Sequence, residues 1–90
     1  MVETVVKVTN KAGIHARPSQ QIVRTCERFY SEIFLLRTQD NFKANAKSIF
    51  NVMSLAAENG TELTLTAEGP DEDEAIEAVV ELFELKFKEE

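Results

Sequence analysis

Ninety residues carry one cysteine and one histidine, and each shortage narrows the chemistry. A lone thiol, Cys26, has no partner for an internal bridge, so a disulfide-stapled secreted module is excluded and a reducing compartment fits. A lone imidazole, His15, leaves no histidine pair for a nucleophile and its base. Cys26 lies about three helical turns further on, so independent hydrolytic turnover is not expected. No apolar run is long enough to span a bilayer, and Met1-Val2-Glu3-Thr4 lacks the basic and apolar regions of a signal peptide. The expectation is a cytoplasmic chain with no direct membrane insertion. Linkers, repeats and low-complexity stretches are also missing, and the length suits a single domain over residues 1–90. With 43% hydrophobic residues, six of them Phe, the chain can fold without a metal scaffold; no metal and no cofactor is expected.

Positive charge is scarce: ten Lys and Arg stand against sixteen acids, a net charge of -6. That balance argues against nucleic acid as a partner, because neutralising phosphates requires clustered Lys and Arg. The charge is also uneven. Residues 68–90 hold ten acids and two lysines, a net −8, whereas residues 1–67 hold six acids and eight bases, a net +2. An acidic partner would therefore approach the first part of the chain.

The periodicity predicts the order β-α-β-β-α-β-α. Val2 to Thr9 alternates as a strand, with Thr4, Val6 and Val8 on one face. Asn10 to Gly13 has turn chemistry, and from Ala16 the apolar positions Ile22, Val23, Cys26 and Phe29 fall at helical spacing. Ile33 to Leu36 is a short apolar strand, Phe42 to Asn45 a weak one, and Ser48 opens a short helix for which Asn59-Gly60 reads as the stop. Leu63, Leu65 and Ala67 alternate with threonines as a half-buried strand. Asp71 and Glu74 resemble a capping box for a last helix that buries Ile76, Val79, Val80 and Phe83. The pattern suits an α+β domain of two layers, a four-stranded sheet with helices on one face; crossovers between any parallel neighbours should be right-handed.

His15 sits where a turn becomes a helix, in Gly13-Ile14-His15-Ala16-Arg17-Pro18. First-turn amides lack an intrahelical acceptor and the helix dipole adds partial positive charge, so an anion is favoured there. Pro18 forfeits no hydrogen bond in a first turn, and it biases Arg17 away from helical backbone, so Arg17 is expected to curl back toward the imidazole. An imidazole ordinarily titrates near about 6.5 and is mostly a neutral nucleophile at cellular pH, which suits a phosphoryl carrier. A phosphoryl group there would gain from the amides of Ala16 and Arg17 and from a guanidinium that bonds two oxygens. The plainer alternative is a histidine that is only structural; the surrounding glycine, arginine, proline and helix start favour the functional one.

These residues, together with Lys47-Ser48-Ile49-Phe50-Asn51-Val52-Met53-Ser54-Leu55, carry a resemblance over nearly the whole chain. The sequence resembles the histidine-containing phosphocarrier proteins, the HPr family of the bacterial phosphotransferase system. The resemblance implies an open-faced β-sandwich with sheet order 1-4-2-3 and three helices on one face. It implies that enzyme I, charged by phosphoenolpyruvate, phosphorylates His15 on Nδ1, and that the group passes to a histidine of an enzyme IIA domain with Arg17 assisting. It also implies that a dedicated serine kinase/phosphorylase modifies Ser48, and it adds a transcriptional regulator as a partner. Physically, phosphate at a helix start is locally stabilised yet adds negative charge beside a docking surface; the alternative is that Ser48 only caps its helix.

A short helix cannot bury Ile49, Phe50 and Met53 completely, so they are candidates for docking partners, with ordinary core packing as the alternative. Lys47 belongs with them in the second motif. Gln21 and Arg24 follow Arg17 along one helix face and match interface positions of the family, or are simply solvated. Two features depart from the family pattern. Leu55-Ala56-Ala57 has alanine where glycine is common, which should lengthen or reshape the second helix. The stretch from Arg37 to Asn45 is longer than a tight Asn-Gly hairpin; with Ala67-Glu68-Gly69-Pro70 and the acidic last helix it resembles the nitrogen-related branch, whereas Lys47 to Phe50 resembles the sugar or serine-regulated type. Two other function classes stay open: a regulatory binding module controlled through Ser48, and, from fold class alone, a small acyl-phosphate hydrolase.

Overall fold

The computed structural model describes residues 1–88. Its elements run β1 (Val2–Lys7), α1 (Ala16–Cys26), β2 (Glu32–Arg37), β3 (Phe42–Asn45), α2 (Ile49–Met53), β4 (Glu62–Glu68) and α3 (Glu72–Glu84), followed by a 3-10 turn at Lys86–Lys88. The sheet order is β1-β4-β2-β3 and every pairing is antiparallel, so the handedness rule for parallel neighbours does not apply. This is the α+β arrangement the resemblance implies.

Alternation along the strands sends one set of side chains to the helices. Val6 pairs with Leu63, Leu35 with Leu65 and with Ala44, and Ile33 with Ala67, all of them buried. The helices meet this face with stripes at helical spacing: Ile22 and Cys26 from α1, Val52 from α2, and Ala75, Ile76, Val79 and Phe83 from α3. Burying each large apolar side chain stabilises the fold by about 1.5–3 kcal/mol, so the layer of strands and helices is held mainly here.

Several expectations are corrected. The helix expected to reach Phe29 stops at Cys26, and Phe29 packs beside the core from the loop that follows. The Asp71–Glu74 capping box is not made, because closer donors claim Asp71. Its carboxylate accepts the Tyr30 and Ser31 amides, each at 2.9 Å, and the Ser31 hydroxyl at 2.5 Å. The reach-back falls to Glu72, which accepts the Gly69 amide at 3.1 Å. Gly69 itself has φ +153, and a Cβ there would stand 2.6 Å from the Ser31 hydroxyl oxygen, so only glycine permits this knot. Ala56 does not lengthen α2: the helix ends at Met53, and Ala56 takes the left-handed conformation (φ 48) that glycine would adopt more easily. The Asn59-Gly60 turn exists, but it starts six residues after the helix end and closes the loop that begins there. The hairpin between β2 and β3 is indeed longer than a two-residue turn: Thr38 to Asn41 form it, with Asn41 left-handed and Asp40 bridging Arg37 at 2.8 Å.

The closing turn was not foreseen. Lys86, Phe87 and Lys88 are all left-handed, and Phe87 is buried with its ring edge-on to Phe83, centroids 5.0 Å apart. Gln21 donates its side-chain amide to the Phe87 carbonyl at 3.1 Å, which fixes this turn against α1.

Candidate functional site

The segment from Val8 to His15 joins β1 to α1 without regular structure, and bonds to a second loop give it shape. Gly60 donates to the Val8 carbonyl at 2.7 Å, and Ile14 donates to the Ala57 carbonyl at 2.8 Å. Asn10, fully buried, donates its side-chain amide to the Gly13 carbonyl at 2.7 Å, while the Gly13 amide returns to the Asn10 carbonyl at 3.2 Å. From the facing loop, Asn59 donates to the Thr9 and Asn10 carbonyls at 3.1 and 3.2 Å. Gly13 has φ +74, and a Cβ on it would meet the Ala57 carbonyl oxygen at 2.5 Å. Both conformation and space therefore demand glycine there, in the stretch whose composition predicted a turn.

This scaffold delivers His15 to the N-cap of α1. Its backbone is extended (φ -110, ψ -160), its carbonyl accepts the Ser19 amide at 3.0 Å, and its side chain makes no capping bond. The residue is exposed. Ala16 and Arg17 supply the first two helical amides, Pro18 supplies none, and the first turn contains no acid. Those amides thus meet neither an intrahelical acceptor nor a neighbouring carboxylate of their own turn.

Arg17 differs from expectation in its backbone. It is the second residue of α1, fully helical, because Pro18 falls early enough in the first turn for the restriction on its predecessor to yield to the helix. Its side chain is exposed beside His15 in sequence and on the same turn.

The remaining predicted residues lie on α1, on α2 or immediately before α2, and the two helices pack against one another. Gln21 is half-buried and tied to Phe87, while Arg24 is exposed in the last turn, about 10 Å along the helix from Arg17. Lys47 donates its ammonium to the Phe29 carbonyl at 2.7 Å, anchoring the approach to α2 on the loop after α1. Ser48 is the N-cap of α2 and its hydroxyl accepts the Asn51 amide at 3.4 Å, so the capping role is real. Phe50 is 80% and Met53 41% exposed, whereas Ile49 is half-buried and Val52 fully buried. The exposed apolar side chains of α2 are thus Phe50 and Met53, with Ile49 half-buried beside them.

Cys26 takes no part. Burial pushes its thiol up to about 12, against the opposing pull of Lys47 and Arg28, so it stays a protonated core side chain. Sequence reasoning missed Asn10 and Asn59 as builders of the site; both stood in turn signals, and a turn signal does not say which carbonyls its side chain will reach. Among the described residues, no helix is long and apolar enough to cross a membrane, and no cluster of three or more His, Cys, Asp or Glu could hold a metal ion.

Comparison with known proteins gives a consistent result. The family model described as "PTS HPr component phosphorylation site" matches residues 2–84. A phosphocarrier protein HPr of Treponema pallidum is 51% identical over 90 residues, covering 100% of both chains. An HPr-like protein Crh of Halalkalibacterium halodurans is 48% identical over 84 residues, 93% of this chain and 98% of that protein. The crystal structure of HPr-C-His from Thermoanaerobacter tengcongensis superposes with a TM-score of 0.93 at 48% identity, covering 100% of this chain and 99% of the other.

Proposed function

The chain belongs to the HPr family, the phosphocarriers of the phosphotransferase system, and from that premise we propose that residues 1–90 act as one carrier domain that takes a phosphoryl group on His15 from phospho-enzyme I and passes it to enzyme IIA domains. The observation that carries this reading is the exposed imidazole at the N-cap of α1, unused as a cap, ahead of an acid-free first turn.

In the transfer, a ring-nitrogen lone pair of His15 attacks phosphorus as the donor's P–N bond breaks and its electron pair returns to the donor ring. A proton leaves the second nitrogen of His15 to solvent, and the donor ring takes one up. The exchange balances with two rings and water. The amides of Ala16 and Arg17 and the Arg17 guanidinium hold the phosphoryl oxygens. The attachment is strong enough to orient the group yet exposed enough for delivery, and delivery repeats the same step with the roles of the rings reversed. Phe50 and Met53 provide the apolar contact for partners, flanked by Ile49 and Lys47, with Arg24 and Gln21 along α1. Incubation with enzyme I and phosphoenolpyruvate should give acid-labile, alkali-stable phosphate that disappears in His15→Ala. Equal labelling of that variant rules the reading out.

A second role, regulation through Ser48, is favoured by the position of that hydroxyl beside the exposed Phe50 and by the likeness to an HPr-like protein Crh. A serine kinase/phosphorylase would add phosphate there and a transcriptional regulator would read it. That label should be acid-stable, absent from Ser48→Ala and present in His15→Ala.

A further inference from the structure

We propose that Asn59, in the loop before β4, is a positioning residue for His15, an inference that rests on the carrier reading above. Phosphoryl transfer needs the imidazole held at a fixed attitude to the incoming phosphorus, because a small misplacement costs a large factor in rate. Yet His15 ends an irregular stretch, and irregular stretches are the mobile parts of small domains. Two backbone bonds pin its limits, Gly60 to Val8 at one end and Ile14 to Ala57 at the other. Residues 9 to 13 lie between those pins.

Asn59 fills that interval. Its carboxamide bridges two successive carbonyls, Thr9 at 3.1 Å and Asn10 at 3.2 Å, which fixes the planes of both peptides. Two carbonyl oxygens within reach dictate that the amino group, not the oxygen, faces them. With its backbone so held, Asn10 aims its buried amide at the Gly13 carbonyl, 2.7 Å away, and Gly13 lies two residues before His15. The hydrogen bonds thus run from Asn59 to the Asn10 carbonyl and from Asn10 to the Gly13 carbonyl, the chain carries the constraint two residues on to His15, and of these residues only His15 meets the phosphoryl group. Asn59 itself is exposed, so losing it opens no core cavity.

The substitution Asn59→Asp is the sharpest probe: it keeps the shape, removes both donors and sets a carboxylate against two carbonyl oxygens. Asn59→Ala removes the contact without added charge. Phosphoramidate, a small phosphoryl donor that needs no docking surface, isolates the reactivity of His15 from partner binding. Both variants should acquire phosphate on His15 at least about ten-fold more slowly than the parent chain. The ring nitrogen shifts of His15 should move, and amide exchange at Gly13 and Ile14 should quicken. Val79→Ala, a core change in α3, supplies a chain of reduced stability and should label at the parent rate, which separates positioning from general loosening. If either Asn59 variant labels as fast as the parent with unchanged ring shifts, the proposal is overturned while the carrier reading stands. If the parent chain itself gains no phosphate on His15, both fall together.

Discussion

Helices α1 and α3 pack side by side, yet α1 begins without a carboxylate in its first turn and α3 begins with Asp71, Glu72, Asp73 and Glu74. At α3 the positive end of the dipole is met from within: three acids occupy the first turn, Glu72 reaches back to Gly69, and Asp71 binds the Tyr30–Ser31 loop. At α1 the N-cap side chain does not cap, the first turn holds no acid, and His15, Ala16 and Arg17 are all exposed. Helix α2 is intermediate, capped by the single hydroxyl of Ser48. The contrast teaches that one helix start in this chain is neutralised by its own acids and another is not, and the carrier reading rests on that difference.

The strongest way to break the contrast is to give α1 what α3 has. Ala16→Glu puts a carboxylate in the first turn at an exposed position; it should stabilise the helix by about 0.3–1 kcal/mol while slowing phosphoryl uptake at least about ten-fold. Urea melts and transfer rates read the two effects separately, and uptake unchanged by the new carboxylate counts against the role given to that helix start.

The reverse change is Asp71→Asn, which should lower stability and leave transfer unaltered. Hydrogen bonds from Ser31, and then from the Tyr30 amide, hold the Asp71 carboxyl below the usual carboxylate range. In the unfolded chain those bonds are gone, so the unfolded state binds more protons in this window and stability rises with pH across it. The contribution is present above the ordinary carboxyl pKa of about 3.9 and fades as pH falls through the lowered folded value. Melting curves taken from neutral pH down through that window should show a shallower acid loss in Asp71→Asn than in the parent; parallel curves contradict the assignment.

A smaller effect is expected at α2. Ser48→Ala removes a cap whose bond is long at 3.4 Å, so the loss should sit near the low end of the capping range, about 0.5 kcal/mol, with uptake from enzyme I unaffected. Ser48→Asp keeps a capping oxygen and adds charge; it should slow uptake from enzyme I, and identical kinetics argue against repulsion at the docking surface. A change of similar size and opposite sign is Ala56→Gly just beyond α2, where relief of left-handed alanine should stabilise the fold by roughly 0.5 kcal/mol and leave all three helix starts as they are. Thermal melts would show it.

What could be read in advance follows the same physics. The strands of the sheet and their inward faces were legible because alternation is local, and Gly13, His15 and Pro18 were legible because each is suited to a turn that becomes a helix. Asp71 was misread because the capping box is a local motif, whereas its true donors, Tyr30 and Ser31, lie forty residues away. Arg17 was placed outside the helix by a dipeptide preference that the following helix overrode. The clamp by Asn59 and the buried Phe87 turn depend on segments brought together only by the fold, and no window of sequence displays such contacts.

The most direct test of the unneutralised helix start is an amide-resolved NMR comparison of the chain before and after phosphorylation. The account predicts a phosphorus signal from the His15 ring, large shifts of the Ala16 and Arg17 amides, and none at Glu72 and Asp73 of α3. Phosphate on His15 that leaves the Ala16 and Arg17 amides unmoved would contradict it.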